Sequence, residues 1–538
     1  MSSFTLDGQE IPFEPGDTIM RAAWRQGVEI PHYCWHPGLS VAASCRMCLV
    51  HIESGRQMAM PILRFDAGKK QYVPDTKPKL MPACQMEAAE GMLVSSKGEA
   101  AQSAQATVQE LLLLNHPVDC PICDQAGECK LQDYWLEHGS SLKRKRTERV
   151  RKPKAQRFGP TIVYDAERCV LCTRCIRVCE ELAGDPVLDL RERGNRNEVF
   201  VAPGRELDHE YTLMTEHVCP VGALTSRDFR FKARVWFLKS APGICTGCAT
   251  GCNTHLDYDP RDGRVVRLRP RDNMDVNRFW MCDDGMLSYR RVHEERILAG
   301  LLGRGEAREP ISPNEAIEEA ARRLAAVDAQ RVAIVLSAAV SSEDNTALVR
   351  LGELLGTQRI YLAARADWQG DAILRHRDAN PNRAGALRAA GGSIDEGIED
   401  LVSDVMAGEV RAVIALGPDT IESADALAPL EELDAFISLS SNTGTLTEAA
   451  SVVIPTSSWA EQSATYVNAK GMAQIASRAI PSPHGVEPAW RALVALGERL
   501  GLELGYASIA EIRAGMAQAA ASAQSEAAAG GAAAEVNA

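Results

Sequence analysis

Sixteen cysteines stand between Cys34 and Cys282, and the rest of the chain has none. The start, MSSFTLDGQEIPFEPGD, lacks the basic and apolar regions of a secretory leader, and no apolar stretch reaches the length of a membrane span. The sequence therefore reads as a protein of a reducing compartment, where disulfides are rare and crowded cysteines point to metal or cluster ligation. The cysteines fall into four groups. Cys34, Cys45, Cys48 and Cys84 are spaced C-x10-C-x2-C-x35-C. Four thiolates so placed hold either a [2Fe–2S] cluster, two on each iron, or a structural zinc. His116, Cys120, Cys123 and Cys129 lie in NHPVDCPICDQAGEC. One imidazole and three thiolates suit zinc and a [4Fe–4S] cubane equally.

The third group opens with the run Cys169, Cys172 and Cys175, C-x2-C-x2-C, which wraps one side of a cubane and needs a distant fourth ligand. Two residues compete for that place. In two-cluster ferredoxins the cysteine after x3 serves the other cluster and precedes Pro. Here Cys179 precedes Glu180, and no second C-x2-C-x2-C run exists, whereas Cys219 precedes Pro220 in VCPVGAL. Cys219 is assigned as the ligand and Cys179 as a buried structural thiol. Cys245, Cys248, Cys252 and Cys282, C-x2-C-x3-C-x29-C, again suit a cubane, with zinc as the alternative. Fifteen cysteines and one histidine thus supply sixteen ligands, enough for four clusters.

The surrounding elements must position these groups. FTLDGQEIPFE (4–14) has the pattern of a hairpin about an Asp7-Gly8 turn; Asp17 or Thr18 is placed to cap a helix through Ile19, Met20, Ala22 and Ala23, and Gly27 to end it. CLVHIE (48–53) reads as a strand and 99–114 as a helix. The basic run 143–157 reads as a solvated linker, with a cluster-neutralising or partner-docking role as the alternative. RCIRVCEELAG, which carries Cys175 and Cys179, reads as helical. From about residue 296 the strands RVAIVLSAAV (331–340), VRAVIALG (410–417), AFISLS (435–440) and SVVIP (451–455) alternate with helices such as 343–355. That pattern implies α/β layers around a mainly parallel sheet. The alanine-rich segment 516–538 reads as a disordered tail.

The 538 residues allow roughly three to five domains. With 59 basic and 72 acidic residues the net charge is −13, which argues against general nucleic-acid binding. Neither GxGxxG after a strand nor GxxxxGK[ST] is present, so no nucleotide site is expected.

The motifs PHYCWHPGLSVAASCRMCLV, MPACQ, NHPVDCPICDQAGECKLQD, CVLCTRCIRVCEELAG, VCPVGALTS and CTGCATGCN run in this order across roughly 1–295. Together they resemble the large, 75 kDa-type iron–sulfur subunit of respiratory complex I, the NADH:quinone oxidoreductase. The resemblance implies one [2Fe–2S] cluster on Cys34, Cys45, Cys48 and Cys84. It implies three [4Fe–4S] clusters, on His116, Cys120, Cys123 and Cys129; on Cys169, Cys172, Cys175 and Cys219; and on Cys245, Cys248, Cys252 and Cys282. The α/β half resembles the molybdopterin-enzyme fold through Glu461, Thr465, Asn468, Gly471 and Gln474, but has Met472 where Arg is usual and Ala464 where Gly is usual.

The expected fold is multidomain, α+β and α/β. It comprises a β-grasp [2Fe–2S] ferredoxin-type domain over 1–95, a helical His(Cys)3 cluster domain over 96–140, and a [4Fe–4S] ferredoxin-like domain with its basic linker over 141–235. A [4Fe–4S] domain of the molybdenum-enzyme type follows over 238–295, then a vestigial molybdopterin-oxidoreductase-like domain over 296–515. The implied function is to relay electrons from NADH, oxidised on a partner flavin subunit, toward quinone, as part of a proton-translocating complex. No catalytic residue, molybdopterin, flavin or NAD is expected on this chain. The implied partners are the flavin/NADH-binding subunit and quinone-proximal iron–sulfur subunits of the peripheral arm. Membrane contact would run only through them, on the cytoplasmic side of the bacterial inner membrane. The alternative is an electron-transfer subunit of a soluble NAD-linked hydrogenase or formate dehydrogenase.

Overall fold

The computed structural model describes residues 2–54, 63–74, 80–139, 148–392, 394, 396–418 and 423–521. The chain divides into two units, Met1–Trp236 and Phe237–Ala538.

In the first unit a five-stranded sheet runs Gln9–Pro12, Ser3–Leu6, Leu93–Ser95, Leu49–Ser54, Leu80–Pro82. Its opening hairpin turns at Asp7 and Gly8, which both adopt positive φ, 50° and 86°. Two such residues make the turn whose twist matches the flanking strands. Phe4, Leu6 and Ile11 are buried with Ile19, Met20, Ala22 and Ala23 of the helix Ile19–Arg25. Of the two candidate caps, Thr18 caps this helix by accepting from the Arg21 N–H at 3.2 Å, while Asp17 instead accepts from the Glu14 N–H and pairs with Arg25. The helix Glu99–Leu113 follows, then the helix Lys130–His138. Further on, a three-stranded sheet (Leu224–Ser226, Ile162–Tyr164, Gln156–Phe158) and the pair Leu188–Arg191/Glu198–Val201 flank the third cysteine group.

The second unit opens with the antiparallel sheet Lys239–Ile244, Asn253–Asp259, Arg264–Pro270. Its larger sheet has seven strands in the order Glu309–Ile311, Gly300–Leu302, Val452–Pro455, Ala435–Ser440, Ala412–Leu416, Val332–Ser337, Arg359–Ala363. The last five pair in parallel, and the first two are antiparallel additions at one edge. Side chains alternate across a strand, so the two faces separate cleanly. Ile334, Leu336, Ile414, Leu416, Ile437 and Leu439 pack with Leu348, Leu351, Leu493 and Leu496 on one side. Val335, Val413, Phe436 and Val453 pack with Ile398, Leu401, Leu430 and Leu446 on the other. The sequence pattern placed the helix at 343–355; it spans Ser342–Leu355, capped by Ser341 and ended by Gly356 at φ 81°.

One expectation changes. Residues 509–521 are helical, with Ile512 buried and Met516 packed on the core, so order continues past residue 516; 522–538 lie outside the described residues. Alanine favours helix as well as low complexity, and two apolar anchors settle the matter. The stretch around Cys179 is helical as the sequence suggests, with the α-helix Arg174–Arg177 passing directly into a π-helical turn, Val178–Leu182.

Candidate metal centres

Strand pairing closes the longest gap in the first group. Leu49 pairs with Pro82, and the Ala83 N–H donates to the Cys48 carbonyl at 2.9 Å, which brings Cys84 beside Cys48. On the other side the Tyr33 N–H donates to Cys45 Sγ at 3.5 Å. The thiols sort into two pairs, Cys34 with Cys45 and Cys48 with Cys84, each within hydrogen-bond reach. In each pair that contact favours ionisation of one thiol, Cys34 and Cys84, and opposes it in the other. Two pairs of thiols fit a [2Fe–2S] rhomb, which takes two on each iron. Ala43 and Arg46 adopt left-handed backbone, φ 50° and 58°, in the intervening loop.

The second group surrounds a cavity of about 410 Å3, lined by His116, Cys120, Cys123 and Cys129 with Leu113, Leu131 and Trp135 among its walls. Cys129 starts the helix Lys130–His138, and Cys120 opens a 3-10 turn. Burial lowers the His116 pKa to about 4, so its imidazole is neutral at neutral pH, the form that ligates. Burial pushes the Cys129 thiol up to about 11, so loading a metal centre there would release a proton. Asp119, next to Cys120, accepts from Arg168 Nε at 3.1 Å and Nη2 at 2.8 Å. Lys154 lies 3.4 Å from Asp119, 3.0 Å from Asp165 and 3.1 Å from Glu167. Part of the basic run therefore departs from the solvated-linker reading, because Lys154 and Arg149 meet acids of the neighbouring loops. Residues 140–147, which hold the rest of its densest charge, lie outside the described residues.

Cys169, Cys172, Cys175 and Cys219 line a small enclosed cavity with Tyr164, Val199 and Leu224. Leu171 and Thr173 take left-handed backbone, φ 54° and 60°. The Leu171 N–H donates to Cys169 Sγ at 3.3 Å, and the Tyr164 hydroxyl bonds to the same sulfur. Cys219 arrives just after the helix Thr212–His217. Cys179 does not line this cavity; it is fully buried in the π-helical turn, with His209 Nε2 at 3.4 Å from its sulfur.

The fourth group, in the second unit, lines another small cavity: Cys245, Cys248, Cys252 and Cys282, with Gly247, Gly285 and Trp368. The Cys245 N–H donates to the Cys252 carbonyl at 2.8 Å. The Gly247 and Gly285 N–H groups point at Cys245 Sγ and Cys282 Sγ, each at 3.4 Å. Two of the residues that carry the resemblance to the molybdopterin-enzyme fold, Asn468 and Gln474, brace this site. Asn468 Nδ2 donates to the Thr250 carbonyl at 3.3 Å, Gln474 Nε2 to the Gly251 carbonyl at 2.8 Å, and the Ala469 N–H to the Ala249 carbonyl at 2.8 Å. Thr465 is held by Glu343, and Glu461 by a buried two-point pair with Arg296 at 2.7 and 2.8 Å. Gly471, at φ 76°, turns the hairpin.

Four residues near the centres escape a search for ligand types. Arg174 and Arg177 are buried beside Cys172; burial pushes that thiol up, and the two guanidinium charges work against the rise. Gly222 leaves room for a sulfur, since a Cβ there would lie 2.3 Å from Cys123 Sγ. Tyr164 reaches Cys169. The glycine in VCPVGAL was visible in the sequence, but nothing there told which thiol it faces.

Family models match in the same order as the groups. "2Fe-2S iron-sulfur cluster binding domain" covers 1–99, "NADH-ubiquinone oxidoreductase-G iron-sulfur binding region" 105–144, and "NADH-quinone oxidoreductase subunit 3, ferredoxin-like domain" 159–225. "Molybdopterin oxidoreductase Fe4S4 domain" covers 238–294 and "Molybdopterin oxidoreductase" 315–499. The G subunit of the NADH-quinone oxidoreductase of Streptomyces coelicolor is 35% identical over 68% of this chain and 41% of its own length. The mitochondrial NADH-ubiquinone oxidoreductase 78 kDa subunit of Candida albicans is 33% identical over 66% of this chain and 46% of its own. This chain belongs to the G-subunit family of NADH-quinone oxidoreductases. It spans about half the length of the curated relatives it matches. A solved NAD+-reducing [NiFe]-hydrogenase chain is 28% identical, covering 44% of this chain and 91% of that one, with a TM-score of 0.35, too low to carry an argument. Among the described residues no helix is long and apolar enough to cross a membrane.

Proposed function

We propose that this chain relays electrons within an NADH:quinone oxidoreductase, from a partner flavin subunit that oxidises NADH toward quinone-proximal iron–sulfur subunits. The observation that carries the reading is the sorting of sixteen donor side chains into four separate sites, the first as two thiol pairs. The sites would hold one [2Fe–2S] cluster on Cys34, Cys45, Cys48 and Cys84, and [4Fe–4S] clusters on His116/Cys120/Cys123/Cys129, Cys169/Cys172/Cys175/Cys219 and Cys245/Cys248/Cys252/Cys282. Bound clusters supply reversible one-electron chemistry. The chain's own residues do the rest. Thiols and one neutral imidazole fix the positions, backbone N–H groups aimed at sulfur favour the anionic state, and walls such as Leu113, Leu131 and Trp135 keep water away. The region 296–515 serves as scaffold without molybdopterin; two of its motif residues, Asn468 and Gln474, hold the fourth cysteine loop. We place the protein at the cytoplasmic side of the bacterial inner membrane, joined to it through partners.

Metal analysis of the anaerobically purified full chain, with EPR after dithionite, tests this. About fourteen irons per chain are expected, two in the first centre and four in each of the others. Stoichiometric zinc or molybdenum, or reduced protein without iron–sulfur signals, would overturn the reading.

A further inference from the structure

The helix that carries Cys175 grips the loop that carries Cys34. Arg174, Arg177 and Glu181 recur along one side of the helical stretch, and all three reach the segment 34–40. Arg174 Nη2 donates to the Trp35 carbonyl, and its Nη1 to the Val218 carbonyl, next to Cys219, at 3.1 Å. Arg177 Nη1 donates to the Ser40 carbonyl. Its Nη2 donates to two carbonyls at once, Cys34 at 2.5 Å and Cys172 at 3.2 Å. Glu181 accepts from the N–H and the hydroxyl of Ser40 at 2.8 and 2.5 Å. One guanidinium nitrogen thus spans a residue of the first centre and a residue of the third.

The charges matter as much as the bonds. Arg174 is 8% exposed and Arg177 6%. All their hydrogen bonds go to carbonyl oxygens, and among the described residues neither pairs with a carboxylate. Each Nε is buried without an acceptor. Two buried cations without counter-charge are costly to fold around. Four-thiolate iron–sulfur centres are anions, so the two centres flanking the arginines are the counter-charge the protein itself does not provide.

We propose that Arg174 and Arg177 are positioning residues that lock the first centre to the third and raise the reduction potentials of both. This rests on the cluster assignment above. A nearby positive charge stabilises the added electron, so its loss makes both centres harder to reduce. The shared carbonyl contacts fix the spacing, on which electron transfer between the centres depends.

The test is a redox titration by EPR of the full, cluster-loaded chain carrying Arg174→Gln, Arg177→Gln, Arg174→Lys or Arg177→Lys, with iron counts. The Gln variants are expected to move the midpoints of the [2Fe–2S] centre and the Cys169-group centre to more negative values, leaving the Cys245-group centre unmoved. The Lys variants should recover most of the shift. Loss of iron from both centres in the Gln variants with retention in the Lys variants also supports the role. Unmoved midpoints, equal shifts in Gln and Lys variants, or an effect confined to one of the two centres would overturn it. Wild-type protein lacking both signals would instead refute the cluster assignment.

Discussion

His209 Nε2 lies 3.4 Å from the sulfur of Cys179. The other ring nitrogen, Nδ1, accepts from the Tyr211 N–H at 3.1 Å, so the proton sits on Nε2 and points at the thiol. Burial pushes that thiol up to about 12 and keeps it protonated. Cys179 lies in the π-helical turn and does not line the Cys175 cavity. Cys179→Ser is therefore expected to leave the iron content and every EPR signal intact. Cys219→Ser should lose about four irons per chain and one [4Fe–4S] signal. The reverse pattern would exchange the two assignments.

His116 is held neutral by burial and lines the second cavity with three cysteines. His116→Cys should retain that cubane but lower its midpoint, because a thiolate in place of a neutral ligand makes each added electron harder to accept. His116→Ala should lose or destabilise it. EPR spectra and midpoints identical to wild type in both variants would remove His116 from the ligand set.

Gly222 sits in VCPVGAL, three residues beyond Cys219, yet its free side faces Cys123 of another group. An added methyl would lie 2.3 Å from Cys123 Sγ and 3.0 Å from the Gln125 Cβ. Gly222→Ala is expected to displace Cys123 and cost the His116-group centre, about four irons per chain, while the [2Fe–2S] signal persists. Full iron content in this variant would show that the loop yields at little cost.

The proposed ligand sets are legible in the sequence because thiols and imidazole are chemically distinctive and recur at short, fixed spacings. The sequence also made the parallel sheet legible through runs such as RAVIAL and AFISLS. It left hidden whatever depends on contacts between distant segments. Arg174 and Arg177 look like ordinary surface residues of a polar helix until Cys34 and Trp35 are brought against them. Glu461, Thr465, Asn468 and Gln474 carry a resemblance to the molybdopterin-enzyme fold, but their partners, Arg296, Glu343, Thr250 and Gly251, lie far off in sequence and only the fold brings them together. The π-turn at Cys179 leaves no compositional trace, since VCEEL mixes good and weak helix formers as many ordinary α-helices do.

Asp344, in the second unit, gives a pH test. It is 1% exposed and accepts from the Ser341 hydroxyl at 2.7 Å and the Trp490 N–H at 2.9 Å. Burial outweighs these bonds and lifts its pKa to about 6 from an ordinary 3.8. The native state thus binds this proton more tightly than the unfolded chain. The stabilisation is fully present below about pH 3.8 and is lost as pH rises through about 6, a penalty on the order of 3 kcal/mol by pH 8. Asp344→Asn removes the titration, and its amide NH2 can still meet Ser341. Native-state hydrogen exchange of the Val332–Ser337 amides reads the opening free energy of this unit. The stability of Asp344→Asn relative to wild type should rise by about 2.5 kcal/mol between pH 4 and pH 8. A difference that stays flat across that range would mean that Asp344 is ionised at ordinary carboxylate pH despite its burial.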